Sequence, residues 1–222
     1  MAGWAKGDAA LLIYDRYDIW SFDPEGKKAP VRLTKNGREN KVTYRRIVLD
    51  REQMDIDLKE PMLMTGFNEM DKSTAVYRAR LIAPASPTLL AGGNFNYDNV
   101  MKAKNADKYI YSKENFEVFP DVWVADANFK KNLQLTQGIR QQDAFIWGTA
   151  ELISWISLDG KKLEGVIYKP ANFDPNKKYP MIVNFYERNA ETLNKYRMPE
   201  PHRSTIDYRM YLSNGYIVFN PD

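Results

Sequence analysis

Short apolar runs of strand length set the pattern of the first half of the chain. Ala10-Leu-Leu-Ile-Tyr14, Met62-Leu-Met-Thr65 and Lys108-Tyr-Ile-Tyr111 are such runs, and turn formers bound them at Asp23-Pro-Glu-Gly26, from Asn68 to Asp71 and from Asp126 to Asn128. The pattern predicts short strands joined by tight turns. A self-similarity runs through the same region. Tyr17-Asp-Ile-Trp20 is followed by Leu33-Thr-Lys-Asn-Gly37, and Pro120-Asp-Val-Trp123 by Leu135-Thr-Gln-Gly138. A weaker copy pairs Thr74-Ala-Val-Tyr77 with Leu89-Leu-Ala-Gly-Gly93. The aromatic-to-leucine spacing is 13, 12 and 12 residues, and successive aromatics lie 57 and 46 apart. Units of this length built of short strands are the pattern of propeller blades. A blade buries both faces against its neighbours, so a large aromatic such as Trp20 or Trp123 would fill the gap between blades. Asp18 and Asp121 share a sheet face with those tryptophans and are expected to bond to backbone or to a neighbouring blade. The plainer reading is a generic antiparallel β domain with coincidental aromatics.

The pattern changes in the last third. Phe145 to Ala150 reads as a linker, and Glu151 to Leu158 alternates as a strand. Asp159-Gly160 is a hairpin signal, and Lys162 to Lys169 is the return strand, closed by Pro170. Met181 to Tyr186 is a nearly continuous apolar run, which predicts a buried central strand. Ser204-Thr-Ile-Asp207 looks like the start of a helix, with Asp in place of the usual Glu or Gln of a capping box. Ile206, Met210 and Tyr211 would form its apolar stripe, Asn214-Gly215 its stop, and Tyr216 to Phe219 another short buried strand. Strand, hairpin strand, strand, helix, strand is how a mixed α/β sheet begins.

Composition narrows the partners more than it names the function. Apolar residues make up 44% of the 222 residues, enough to build a core. The 32 basic and 29 acidic side chains are mixed along the chain, a solvated surface and not a phosphate-tracking stripe, so nucleic acid is not an expected partner. No apolar run is long enough for a membrane span. Leu11-Leu-Ile-Tyr14 is too short for a leader, and Met1-Ala-Gly3 runs straight into strand-like sequence, so further sequence is expected before it. The absence of cysteine removes thiol catalysis, disulfides and cysteine-ligated zinc, and it leaves the compartment open.

The second region holds Ser157-Leu-Asp-Gly160, the Pro170 to Pro175 element, Lys178-Tyr-Pro180 leading into an apolar strand, and Ser213-Asn-Gly-Tyr-Ile-Val-Phe-Asn-Pro-Asp222. On these residues the chain resembles the prolyl oligopeptidase family of serine peptidases, particularly its dipeptidyl-peptidase-like members. The resemblance implies a β-propeller followed by an α/β-hydrolase domain. Here that means a mainly β chain with an α/β portion: a partial propeller of about two and a half to three blades over residues 1–143, then the first strands of the hydrolase over 144–222. It implies a parent that hydrolyses short peptides by acyl transfer through a Ser/Asp/His triad, with no cofactor and no metal. No Gly-x-Ser-x-Gly occurs in this sequence, so the triad is expected outside it and the chain is expected to be inactive alone. One catalytic position carries over. In the family a Tyr just after the central strand donates its hydroxyl to the tetrahedral oxyanion, and by position that is Tyr186; such a donor is worth ~3–4 kcal/mol of barrier. The usual Gly-Pro or Gly-Gly after it is replaced by Glu187-Arg188-Asn189. The rival function is a propeller-type binding module with no chemistry.

The other polar clusters are plainer. His202, the single histidine, would need Glu187 or Glu200 to orient it as a base, and reads more simply as a surface residue of a proline-rich loop. Asp55-Ile-Asp57 and the run from Asp121 to Asp126 lack the Gly and terminal Glu of a calcium loop and read as solvated turns. Gly92-Gly93 is a turn without the Lys of a phosphate cradle, and Lys27-Lys28, Arg45-Arg46 and Glu187-Arg188 read as surface charge. Partial sheets leave open edges, which invite pairing with a second copy. Light scattering is expected to give a mass above the monomer, and a clean monomer at high concentration would contradict this.

Overall fold

The computed structural model describes residues 2–138, 147–186, 188–199 and 206–222. His202, Glu187, Glu200, the Ser204 start of the expected helix cap and the expected boundary at 143/144 lie outside the described residues. The described chain is mainly β, in several sheets of which none closes on itself. It forms two compact units: residues Met1–Ser112 with Trp123–Leu133, and Lys113–Val122 with Gln134–Asp222.

In the first unit, strands β1 (Gly3–Ala5), β2 (Leu11–Tyr14), β3 (Ile19–Phe22) and β4 (Val31–Arg32) form an antiparallel meander. The one-turn helix α1 (Gly37–Asn40) leads into strand β5 (Val42–Arg46), which leaves the meander, and β6 (Asp55–Ile56) returns to pair parallel with β1. Strand β5 heads a second antiparallel sheet with β7 (Met62–Asn68), β8 (Thr74–Ala79) and β9 (Thr88–Ala91). A third sheet runs in chain order through β10 (Asn96–Lys102), β11 (Lys108–Glu114), β12 (Asp121–Asp126) and β13 (Asn132–Gln134), of which Lys113, Glu114, Asp121, Val122 and Gln134 are counted with the second unit. The three runs of strand length in the sequence fall in β2, β7 and β11.

Two-residue periodicity decides how these sheets pack. Met62 and Met64 of β7 join Leu12, Ile19, Leu33, Val42, Tyr44 and Ala79 in one buried cluster. Leu63, pointing the other way, joins Val76, Tyr97, Tyr111, Ala125 and Phe129 in a second. The second sheet is thus apolar on both faces and is covered on both. Trp123 packs against the second cluster, and Tyr97, Tyr111, Phe129 and Tyr109 follow one another at ring separations of 5.4–5.7 Å.

The repeated Asp-x-Trp and Leu-Thr motifs meet each other in space. Asp18 and Thr34 are fully buried. The Thr34 hydroxyl donates to Asp18 Oδ1 at 2.9 Å and accepts the Ile19 amide at 2.9 Å, while the Arg38 amide reaches Asp18 Oδ2 at 3.4 Å. The last copy repeats this. Thr136 donates to Asp121 Oδ1 at 2.6 Å and accepts the Val122 amide at 2.9 Å, and the Gly138 amide gives Asp121 a further bond of 2.9 Å. Each aspartate therefore bonds its own unit's threonine and backbone, not a distant strand. A Cβ at Gly37 would run into the Asp18 carboxylate, which explains the glycine that ends the first motif. In the weak middle copy, Ala75 stands where the aspartate would be. There Thr74 donates to Asn96 Oδ1 at 2.9 Å and accepts the Tyr97 amide at 2.6 Å.

In the second unit, β14 (Gly148–Ile156) and β15 (Lys162–Pro170) form the expected hairpin, with Gly160 at φ +80° in its turn. Strand pairing begins at Gly148, inside the stretch read as a linker, because Gly148 pairs with Pro170. Strands β16 (Met181–Val183) and β17 (Ile217–Pro221) are parallel, and the order is β14-β15-β17-β16. The apolar run from Met181 to Tyr186 is therefore not a central strand in this sheet. β17 takes the place beside β15, and Met181 and Val183 stay about half exposed. The crossover carries helix α2 (Tyr208–Ser213), capped by Asp207, which accepts the Met210 amide at 3.1 Å. Its buried side is Tyr208, Arg209 and Leu212; Met210, expected in the apolar stripe, is exposed, since a helix this short presents only the 208/212 edge to the sheet. Among the described residues no helix is long and apolar enough to cross a membrane.

Two outcomes follow from this packing. Asp18→Ala leaves the buried Thr34 hydroxyl without its carboxylate acceptor, while Arg32, 3.6 Å from Asp18, keeps its pair with Glu39 at 3.0 Å. The urea midpoint should fall by the equivalent of about 2–3 kcal/mol, more than for Asp18→Asn. Burial pushes the Tyr44 and Tyr111 phenols up to about 12, from an ordinary 10.0. Ionisation above pH 10 thus favours the unfolded chain, so stability should hold below pH 10 and fall from there toward pH 12. Denaturant midpoints across that range, with tyrosinate absorbance, check the sign.

Candidate functional site

The chemistry-bearing end of the second unit is built from the C-terminal ends of the parallel strands β16 and β17, where helix and loop backbone leave the sheet open. Both apolar runs end on buried or half-buried asparagines. Asn184 donates its amide to the Phe219 carbonyl at 2.9 Å and its side chain to the Tyr208 hydroxyl at 3.1 Å. Asn220, fully buried, donates to the same hydroxyl at 2.9 Å. The phenol oxygen of α2 thus ties the ends of both strands to the helix. Beneath it lies a cluster of Phe116, Val166, Tyr168, Ala190, Leu212 and Val218.

Beyond Asn184 the chain turns outward. Phe185 and Tyr186 are 74% and 89% exposed, so neither ring caps the sheet. The loop is caught again at Asn189 and Ala190, whose consecutive amides donate to Asp222 Oδ1 at 2.6 and 2.8 Å. Phe185, Tyr186, Arg188, Glu191, Pro221 and Asp222 line an open cleft of about 860 Å³. It combines an aromatic wall, a phenol donor, one guanidinium and two carboxylates. That suits a polar chain with apolar side groups, such as a peptide, better than a purely apolar ligand.

A second feature supports this end from below. Arg209 is 5% exposed, with its guanidinium 3.6 Å from the Phe116 ring centre, 3.8 Å from that of Trp147 and 5.5 Å from that of Tyr196. It donates to the Phe116 carbonyl and, through Nε, to the Arg197 carbonyl at 3.2 Å. Burial pushes its pKa down to about 9, against the pull of Tyr196 and Glu117, so it is charged at neutral pH. Its aromatic cage is filled by this side chain, which makes the feature a structural bolt.

Of the residues singled out in the sequence, Tyr186 and Arg188 come together at the cleft. Asp57 and Asp126 cap their own turns, accepting the Lys59 amide at 2.9 Å and the Lys130 amide at 2.9 Å. Among the described residues no cluster could hold a metal ion. Sequence reasoning missed Asp222, Tyr208, Arg209 and the two asparagines. The signal for the asparagines was present: a lone amide ending an apolar strand marks a buried polar network.

No family model matches the chain. The chain is similar to a probable dipeptidyl-aminopeptidase B of Talaromyces stipitatus, with 23% identity over 224 residues, covering 96% of this chain and 23% of that protein. Dipeptidyl peptidase 4 of Porphyromonas gingivalis superposes with a TM-score of 0.66 at 19% identity, over 99% of this chain and 30% of that one. Pyrococcus horikoshii acylaminoacyl peptidase superposes at 0.55 and 17% identity, over 96% of this chain and 30% of that one. At such identities the structural likeness speaks for the fold. The resemblance to prolyl oligopeptidase-family peptidases read from the sequence is met by these relatives, over part of their length. The chain spans about a quarter of the curated relative it matches.

Proposed function

We propose that this chain is part of a serine peptidase that cleaves short peptides by acyl transfer. In this reading residues 1–143 are a partial β-propeller of about two and a half to three blades, and 144–222 are the first strands of the α/β-hydrolase domain. The stacked sheets with their Asp–Thr clasps support the first assignment. The hairpin followed by a parallel pair with a helical crossover supports the second. The observation that carries the proposal is that the likeness to a dipeptidyl peptidase structure covers 99% of this chain.

Tyr186 is the oxyanion donor in this reading. It stands on a loop after a parallel strand, faces an open cleft, and is free of the core. When a serine attacks the scissile carbonyl, negative charge gathers on the carbonyl oxygen, and a phenol placed about 3 Å away stabilises it. The nucleophile and its Asp and His partners lie outside this sequence, and the chain alone is inactive. Association through open strand edges, β16 foremost, is part of the same reading. The rival reading is a propeller-type binding module with no chemistry.

One experiment separates the readings. The chain alone, given a chromogenic dipeptide amide and a serine-reactive fluorophosphonate, should show neither turnover nor a labelled serine; labelling would overturn the placement of the nucleophile. The reading frame continued past Asp222 should encode Gly-x-Ser-x-Gly, where a stop codon would establish the module. In that longer polypeptide Tyr186→Phe should lower kcat by roughly 10²–10³ with little change in KM.

A further inference from the structure

The turn that bears Tyr186 is fixed at both ends by β17 and the residue after it. On the strand side, the Asn184 amide bonds the Phe219 carbonyl at 2.9 Å. On the far side, one carboxylate oxygen of Asp222 takes the amides of Asn189 and Ala190 at 2.6 and 2.8 Å, across 33 and 32 residues of sequence. Hydrogen bonds to a charged acceptor are roughly twice as strong as neutral ones. Ala190 is itself fully buried, so the far anchor cannot drift without disturbing the core. Tyr186, in contrast, is 89% exposed. Its ring stands mostly in solvent, so the placement of its hydroxyl depends on how the chain is held at the two anchors.

We infer that Asp222 is the positioning residue for Tyr186. The inference rests on the reading of Tyr186 as an oxyanion donor. It adds that this donor is aimed by a carboxylate that touches neither substrate nor reacting atoms. The geometry gives the reason. After Tyr186 the chain reads Glu187-Arg188, with no proline to fix the backbone there. A loop without that restraint needs an outside anchor, and a misplacement of about 1 Å at an oxyanion donor is costly in rate. Asp222 supplies the anchor from the end of the strand that lies beside β16.

Amide hydrogen exchange and backbone relaxation on this chain test the anchor without any assay of activity. In Asp222→Ala, exchange at Asn189 and Ala190 should accelerate by about tenfold or more, and the heteronuclear NOE of Tyr186 should fall. Asp222→Asn keeps an oxygen that can accept both amides, so most of the protection should survive. Exchange at Val166 and Val218, in the sheet core, should not change in either variant. The inference is overturned by unchanged exchange at Asn189 and Ala190 in Asp222→Ala, by an unchanged Tyr186 signal, by equal loss in the two variants, or by loss that spreads to Val166 and Val218. A failure of the oxyanion reading would leave these exchange results intact and appear instead as full activity of Tyr186→Phe in the longer polypeptide.

Discussion

A strand that is apolar on both faces cannot rest against water, and the first unit is organised around that constraint. β7 places Met62 and Met64 on one side and Leu63 on the other, and each side needs its own cover. The sheet before it supplies Leu12 and Ile19, and the sheet after it supplies Tyr97, Val100 and Tyr111. Stacking is thus forced by side-chain direction. The hairpins themselves are short and would be marginal in isolation.

Polar groups are placed where strands end. Asp18 with Thr34 and Asp121 with Thr136 satisfy backbone amides at the points where one strand stops and the next must be brought alongside. An aspartate there is expensive to bury and is kept bonded by hydroxyl and amide donors together. The second unit also uses amides and a phenol: Asn184 and Asn220 share the Tyr208 hydroxyl. Both devices let apolar strands end without stranded backbone groups. In the second unit the device also leaves a loop projecting into solvent, which is where chemistry has room to be placed.

At that loop an exposed phenol stands beside a well-packed sheet. Core residues Val166, Tyr168 and Val218 fix the sheet, Arg209 within its aromatic cage fixes helix α2, and Asp222 fixes the loop backbone. Tyr186 itself touches little. Its placement is inherited from groups around it, which is why the residue type and position alone say less than the anchors do.

Much of this was legible in the residues. Strand runs at 10–14, 62–65 and 108–111, the Asp159-Gly160 hairpin and the Asn214-Gly215 helix stop follow from local side-chain alternation and turn chemistry, which act over a few residues. The repeat also declared that Asp18 and Thr34 belong to one motif. The sequence did not declare that the two would bond, because 16 residues of chain separate them. It misplaced Met181 to Tyr186 as a central strand, since an apolar run does not reveal which strand will settle beside it; β17 does so only once the crossover folds back. Asp222 looked like the last residue of a resemblance, and its two bonds to residues 189 and 190 exist only through that parallel pairing. The sequence by itself determined the elements, the order of sheet types and the tyrosine to examine. Tertiary structure alone decided neighbours and anchors, because hydrogen bonds between distant residues depend on where the sheets bring them and not on spacing along the chain.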